Sequence, residues 1–336
     1  MIIHEYISNG HEPYVLKVDE PGNLFGVHAD LITGALGPSD KVRYLLYSPI
    51  WESPKNLFEL PAPPASLWEG EKAIFSARVY PASHAIAVTE NRFIVSEDRH
   101  TEGIPPTVQT IPFDQVTGVE LGSAMILGWL TIRYRENDHL SSLALLYTTS
   151  TGVEHFHRAV REYRRVTDPS GGDPIEIPRQ WSEIWPHVAP LQAERLKLLL
   201  LEGELPIQVI HSSPIWGAHK RGWKRVPICL VTNGILLVTQ RGLLYAVDEP
   251  APRPDVLTFG VNVSCIPPEV VKSAALLQKT VCGETLHYLC LEIGRQGVTT
   301  HLAIPLDRAC FQVANKFADG FQQGGLWEPR KVGWNP

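Results

Sequence analysis

Five basic or imidazole side chains fall within seven residues of the segment AHKRGWKRV: His219, Lys220, Arg221, Lys224 and Arg225, around Gly222 and Trp223. Several flexible cations on one loop can share a phosphate, Arg through paired hydrogen bonds and Lys as a mobile point charge. Trp223 could enter a bilayer interface or stack on a ring. His219, Lys220, Arg221, Trp223, Lys224 and Arg225 are therefore the candidate ligand-binding residues, for an anion or a phosphorylated headgroup. The plainer reading is a solvated hairpin whose charged end aids solubility. A second basic run, HRAVREYRR, carries Arg158, Arg161, Arg164 and Arg165. At helical spacing Arg158, Arg161 and Arg165 share a face opposite an apolar stripe, which reads as an ordinary solvated face.

Enzymatic patterns are wanting. There is no G-x-S-x-G elbow and no Gly-rich loop of the dinucleotide or phosphate type opening a helix. Asp114 and Glu269 each follow an Ile-Pro step, but they belong to separate halves and read as turn acids that satisfy backbone N–H groups. His155 and His157 lie in the first turn of a helix, where positions i and i+2 diverge too far to share a metal. The five cysteines, Cys229, Cys265, Cys282, Cys290 and Cys310, include no C-x-x-C pair and read as reduced, buried thiols in a cytosolic setting. No catalytic residue, metal or cofactor is assigned.

With 336 residues the chain has room for two domains, and its 44% hydrophobic and 20% charged residues are those of a globular protein rather than a disordered one. A net charge of −6 argues against coating nucleic acid, which needs a dominant field of Lys and Arg. No secretion signal is read at the start, and no run approaches the roughly 18 apolar residues that span a bilayer. The expected location is cytoplasmic, with peripheral membrane attachment as the alternative.

The elements that must position the basic loop come from an internal repeat. HAIAVTENRFIVSED from His84 matches VPICLVTNGILLVTQ from Val226, each an apolar stretch, a turn (Glu90-Asn91 and Asn233-Gly234) and a second apolar stretch, read as a hairpin. VQTIPFDQVTGVEL from Val108 matches VSCIPPEVVKSAAL from Val263, and the strands GWLTIRY and LHYLCLEI follow. Each half then ends in a helix: one opens on a capping box of Thr151 and Glu154, and the other carries Cys310, Val313, Phe317 and Phe321 on one stripe. SPIW also occurs twice, at Ser48-Trp51 and Ser213-Trp216, at the end of a β-rich run. It gives one register for the early strands, whereas Glu69-Gly70-Glu71 against Glu202-Gly203-Glu204 gives a rival one. SPIW is preferred, because four identical residues including a Trp are harder to obtain by chance.

These residues, with VTENRFIVS leading to IPFDQVTGVELGSAMILGWLTIRY, resemble the pleckstrin-homology-like superfold and its bacterial and GRAM-type branches. The second copy departs at Asn233-Gly234, which lacks a basic turn residue, and at Pro268 in place of Phe113. The resemblance implies a mainly β protein with α-helix: two β-sandwiches or partly open barrels, each capped by a C-terminal helix. It also implies binding of lipid headgroups, peptides or proteins without chemistry, and a basic loop between the first two strands that holds phosphorylated headgroups. Expected segments are 1–36 unplaced, 37–167 the first domain, 168–200 a linker with a helix that buttresses both domains, 201–325 the second domain and 326–336 a tail. The leading expectation is a non-enzymatic scaffold that binds a protein partner by adding a strand to an exposed sheet edge, with oligomerisation open. The alternative is an anionic lipid or phosphate ligand on the loop 219–225.

Overall fold

The structure is a computed structural model and describes residues 14–50, 82–99, 103–124, 127–168, 179–221, 224–249 and 260–322. The first half runs β1 (Leu16–Lys17), α1 (His28–Ala35), β2 (Tyr44–Ser48), β3 (Ser83–Val88), β4 (Arg92–Asp98), β5 (Thr107–Pro112), β6 (Val116–Ala124), β7 (Leu127–Glu136), β8 (His139–Thr148) and α2 (Thr149–Thr167). Two short helices follow, α3 (Arg179–Ile184) and α4 (Pro190–Leu199). The second half runs β9 (Pro206–Ser212), β10 (Ile215–Arg221), β11 (Lys224–Val231), β12 (Gly234–Thr239), β13 (Gly242–Asp248), β14 (Val261–Ile266), β15 (Val271–Val281), β16 (Glu284–Arg295), β17 (Val298–Leu306) and α5 (Phe311–Gln322).

The fold is mainly β with a few helices, and none of its sheets closes into a barrel. The strands form a five-stranded sheet β1-β2-β3-β4-β5, a seven-stranded sheet β8-β7-β6-β14-β13-β12-β9, a three-stranded sheet β15-β16-β17 and a separate ribbon β10-β11. The seven-stranded sheet crosses the two halves. β6 of the first half pairs antiparallel with β14 of the second, from Val119↔Cys265 to Ser123↔Val261.

Strands that lie between two apolar layers must be apolar on both faces, and β12 and β13 are. Ile235, Leu237, Leu244 and Ala246 enter one core, together with Ile86, Val88, Val119, Leu121 and the α2 stripe Phe156, Val160 and Tyr163. Leu236, Val238, Leu243 and Tyr245 enter a second core with Leu289, Leu291 and Phe317. The first core thus draws on both halves of the chain. Ala193, Leu196 and Leu199 of α4 add to it, so α4 wedges between α2 and the strands β13 and β14.

Part of the segment 1–36 finds a place. β1 extends the first sheet at β2, and Ile32 of α1 covers Leu45, Tyr47, Ala85 and Ala87 on its outer face. His28 ties this helix to the sheet through Ser96 Oγ (2.7 Å) and Ser83 Oγ (2.9 Å). Residues 1–13 and 326–336 lie outside the described residues.

Several expectations need correction. Asn233-Gly234 is not a hairpin turn, because β11 pairs with β10 while β12 pairs with β9 and β13. Asn233 instead holds Asp248 Oδ2 (3.0 Å), and a Cβ on Gly234 would sit 2.7 Å from Ser212 Oγ. The Val-Thr that matches Val88-Thr89 is therefore Val238-Thr239. Thr89 Oγ1 accepts the Asn91 N–H (3.3 Å) and Thr239 Oγ1 accepts the Arg241 N–H (3.1 Å), closing the same turn in both copies. With this register β2-β3-β4-β5 corresponds to β9-β12-β13-β14, and β6-β7-β8 to β15-β16-β17. The ladders even share an irregularity, between Val116 and Gly118 in one copy and between Val271 and Ser273 in the other.

Ser48 pairs with His84 and Ser212 with Gly234, so Ser48 corresponds to Ser212 rather than Ser213, and the SPIW register is off by one residue, which in a strand reverses the faces. Glu69-Gly70-Glu71 lies outside the described residues. The capping box is absent: α2 begins at Thr149, and Thr151 Oγ1 accepts the Val15 N–H (3.2 Å) instead of capping. Of the cysteines only Cys265 is buried, and Cys282 is exposed at a β-turn.

Arg164, which lies off the face shared by Arg158, Arg161 and Arg165, is buried and forms an ion pair with the fully buried Glu204, 2.6 Å from Oε1. Glu204 also accepts from Leu201 N (2.8 Å) and Thr239 Oγ1 (2.6 Å), and Trp181 Nε1 donates to its carbonyl (2.7 Å). Burial works most strongly against the Arg164 charge, but Glu204, with Cys265 and Asp168 adding to it, holds the guanidinium pKa above its ordinary value.

Removing one member of such a pair strands a buried charge. Glu204→Ala should lower the unfolding free energy by about 3–5 kcal/mol in urea denaturation. A loss below about 1 kcal/mol, the scale of an exposed pair, would show that the pair is not a structural anchor. A pH test concerns His157, which is buried with Nδ1 2.7 Å from Val153 O. Burial pushes its pKa down to about 4 from 6.5. The unfolded chain then binds the extra proton between these values, so the stability His157 contributes is complete above pH 6.5 and declines as pH falls toward 4. The stability difference between wild type and His157→Gln should shift over that window, and a pH-independent difference would refute the assignment.

Candidate functional site

The basic segment predicted as a ligand loop forms the end of the β10–β11 ribbon, between β9 and β12. Its ladder runs from Ile215↔Val231, through an irregularity at Trp216, to Arg221↔Lys224. Among the described residues no third strand joins it. His219 stands opposite Val226, Lys220 opposite Arg225 and Arg221 opposite Lys224. The five basic residues thus occupy the last three register pairs, on either side of Gly222 and Trp223. Those two residues, and the side chains of the five, lie outside what the structure describes.

Register alone carries a consequence. Like charges directly opposite each other in an antiparallel pair are destabilising, by up to about 1 kcal/mol. Two successive cationic pairs make the end of this ribbon a place where an anion would relieve repulsion. Behind it Val226 and Ile228 are 43% and 41% exposed and, two residues apart, share one face of β11. At its base the ribbon is seated by close packing, since a Cβ on Gly217 would meet Leu230 Cδ1 at 2.6 Å and Cys282 Cβ at 3.4 Å. Ser213 of the second SPIW donates to Asp307 Oδ2, while the Ala309 N–H donates to Oδ1 (3.0 Å). These two hydrogen bonds, Ser213 first, hold the Asp307 carboxyl below the usual range. SPIW therefore serves as an anchor for the ribbon's root, and Trp216 is half-buried there.

A cleft between the copies gathers titratable groups that sequence spacing kept apart. A cavity of about 210 Å³ lies between the end of α2 and the β12–β13 turn, bordered by Arg164, Asp168, Arg241 and Cys265. A wider one of about 550 Å³ is bordered by Arg92, Asp114, Glu269 and Arg295. Asp114 and Glu269, the two acids of the Ile-Pro steps, thus face one cleft although they belong to different copies. Most charges here are already matched: Arg295 with Glu269 (2.7 Å), Arg241 with Asp168 (2.8 Å) and Arg92 with Asp40. The one thiol bordering the cleft is inert, because burial pushes Cys265 up to about 12, with the Arg164 charge opposing only in part.

His155 and His157 are turned to separate partners, Tyr44 Oη (3.1 Å) and Val153 O. Among the described residues no group of three or more His, Cys, Asp or Glu is arranged to hold a metal, and no helix is long and apolar enough to cross a membrane. Sequence reasoning missed the Arg164–Glu204 contact, for which neither residue carries a local signal. No family model, curated protein or solved structure matches this chain.

Proposed function

We propose that the chain is a non-enzymatic binding protein made of two pleckstrin-homology-like copies, which takes a protein partner by strand addition to an open sheet edge. What supports the fold reading is the repeated order, four antiparallel strands, three more and a helix, in both copies. One observation supports the binding reading most. In the second copy the outer edge of β14 is filled by β6, whereas the corresponding edge of the first copy, β5, ends its sheet among the described residues. The same backbone edge therefore accepts a strand in one place and presents unpaired N–H and C=O groups in the other. A photo-crosslinking amino acid at Thr110, which is exposed on β5, should yield discrete protein adducts in cells, and one on the exposed Asp138 turn should not. Diffuse or absent adducts from Thr110 would count against strand addition.

A second reading is favoured by the β10–β11 ribbon, in which cationic register pairs sit beyond the exposed Val226 and Ile228. In this reading the ribbon engages the phosphates of an anionic membrane surface through His219, Lys220, Arg221, Lys224 and Arg225, with Trp223 at the interface. Wild type should co-sediment with vesicles containing phosphatidylserine at low salt and lose that binding at high salt. Combined Lys220→Glu, Arg221→Glu, Lys224→Glu and Arg225→Glu should abolish it. Wild type remaining in the supernatant at low salt would remove the membrane reading.

A further inference from the structure

The cleft between the copies is built from the same two elements taken twice. From the first copy come the β3–β4 turn, with Asn91 and Arg92, and the Ile-Pro step, with Phe113 and Asp114. From the second come the β12–β13 turn, with Gln240 and Arg241, and the step from Ile266 to Glu269. The last turn of α2 runs between them. Thr167 and Glu269 border both the cavity of about 210 Å³ and the wider one of about 550 Å³, so the two adjoin.

One buried polar atom at the smaller cavity has nothing to bind. Tyr163 borders that cavity and is 1% exposed, and among the described residues its hydroxyl has no hydrogen-bond partner. Its ring is held between Phe93 and Phe113, each with its centroid 5.0 Å away, which fixes where the hydroxyl lies. Burial, and after it the Glu269 carboxylate, raise the Tyr163 pKa. The hydroxyl therefore keeps its proton and can both donate and accept. Leaving such a group unpaired is costly, so a partner is called for. A single water would serve, but at about 30 Å³ per water the 210 Å³ cavity holds about seven of them. That is room for a small molecule.

We propose that this cleft binds a small uncharged molecule with adjacent hydroxyl groups, of the monosaccharide class, hydrogen-bonded to Tyr163 Oη. Two features set that class. The charges bordering the smaller cavity are matched: Arg241 with Asp168 (2.8 Å), Arg164 with Glu204 (2.6 Å) and Glu269 with Arg295 (2.7 Å). An ionic ligand would have to displace one of these partners, whereas a neutral one uses the hydrogen-bonding capacity that each ion pair leaves over. A guanidinium only donates and a carboxylate only accepts, and a hydroxyl group answers both. Ile266, Pro267 and Pro268 supply an apolar wall, and the prolines carry no N–H to satisfy, which fits the C–H face of a sugar ring. Past Thr167 a second ring has room in the wider cavity, beside Phe113. The smaller cavity shares no residue with β5 or with the β10–β11 ribbon, so this site stands or falls apart from both readings above.

Saturation-transfer difference NMR on the full chain reads weak binding directly, with D-glucose, cellobiose, acetate and methylammonium as probes at millimolar concentration. Wild type should transfer saturation to glucose and not to acetate or methylammonium. Tyr163→Phe removes only the hydroxyl and should weaken the glucose affinity about tenfold. Thr167→Phe fills the place where the two cavities meet and should abolish transfer to cellobiose. Both variants should keep the far-ultraviolet circular dichroism of wild type, and if Thr167→Phe does not, Tyr163→Phe decides alone. Transfer to glucose and cellobiose alike identifies the end of a glycan as the ligand, and transfer to glucose alone a free sugar. Wild type with no transfer to either sugar would leave the hydroxyl to water and overturn the proposal. So would sugar binding that Tyr163→Phe leaves unchanged, or binding of acetate or methylammonium that Tyr163→Phe removes.

Discussion

The β6–β14 ladder is the contact on which the rest of the architecture depends. Edge strands carry rows of unpaired backbone groups, and the second copy cannot place β14 against a packed core while leaving that row dry and unmatched. β6 satisfies it, and by doing so commits the first copy's three-stranded sheet to the second copy's four-stranded one. A shared core then becomes unavoidable: Leu121 of β6 and Val263 of β14 are register partners and lie in the same apolar layer as Phe156 and Val160 of α2. The copies resemble one another strand by strand, yet they do not bury their apolar surfaces separately.

Around this ladder the polar groups that end up inside are held in pairs. Glu120 of β6 lies 3.2 Å from Arg133 and accepts from Ser264 of β14 (3.4 Å), while Arg164 meets Glu204 near Cys265 of the same strand. Pairs of this kind do little for stability compared with an apolar replacement, but each penalises any arrangement that separates its members. Two of the cross-copy groups, Arg164 and Glu204, also fix the end of α2 against the turn that leads into β9. The structure thus specifies one relative placement of two similar units through directional contacts, where apolar packing alone would tolerate several.

The same duplication separates two sorts of surface. The β10–β11 ribbon occurs in the second copy between its first two principal strands, where the first copy has residues 49–82, of which 51–81 lie outside the described residues. Its basic end has no counterpart as dense elsewhere in the chain. The β5 edge, by contrast, is the counterpart of the β14 edge that β6 fills, and among the described residues no strand covers it. Anion binding at the ribbon and strand addition at that edge draw on different physics, one long-range and screened by salt, the other short-range and set by backbone geometry.

The repeated order of strands and helix was legible in part in the chain itself, because Ile-Pro steps, apolar runs and helical stripes report local backbone preference and face polarity. Phe156, Val160, Tyr163, Phe317 and Phe321 lie on the helical stripes their spacing gives. The placement of the basic segment between the first and second principal strands of its copy was also legible. Partner choice was not. Asn233-Gly234 has the composition of a hairpin turn, but whether two adjacent runs pair depends on which other edges compete for them, and β10 and β9 take β11 and β12. The Thr151-Glu154 pattern likewise yielded to a backbone N–H from β1 that only folding brings close. Nothing local in the sequence marks Arg164 and Glu204 as partners, and folding buries them together. The sequence by itself determined the repeated elements and their apolar faces, since those follow from residues near one another in the chain. The shared sheet, the buried ion pair and the cleft that unites Asp114 with Glu269 were decided by tertiary structure, because each depends on which of several chemically similar edges meet in space.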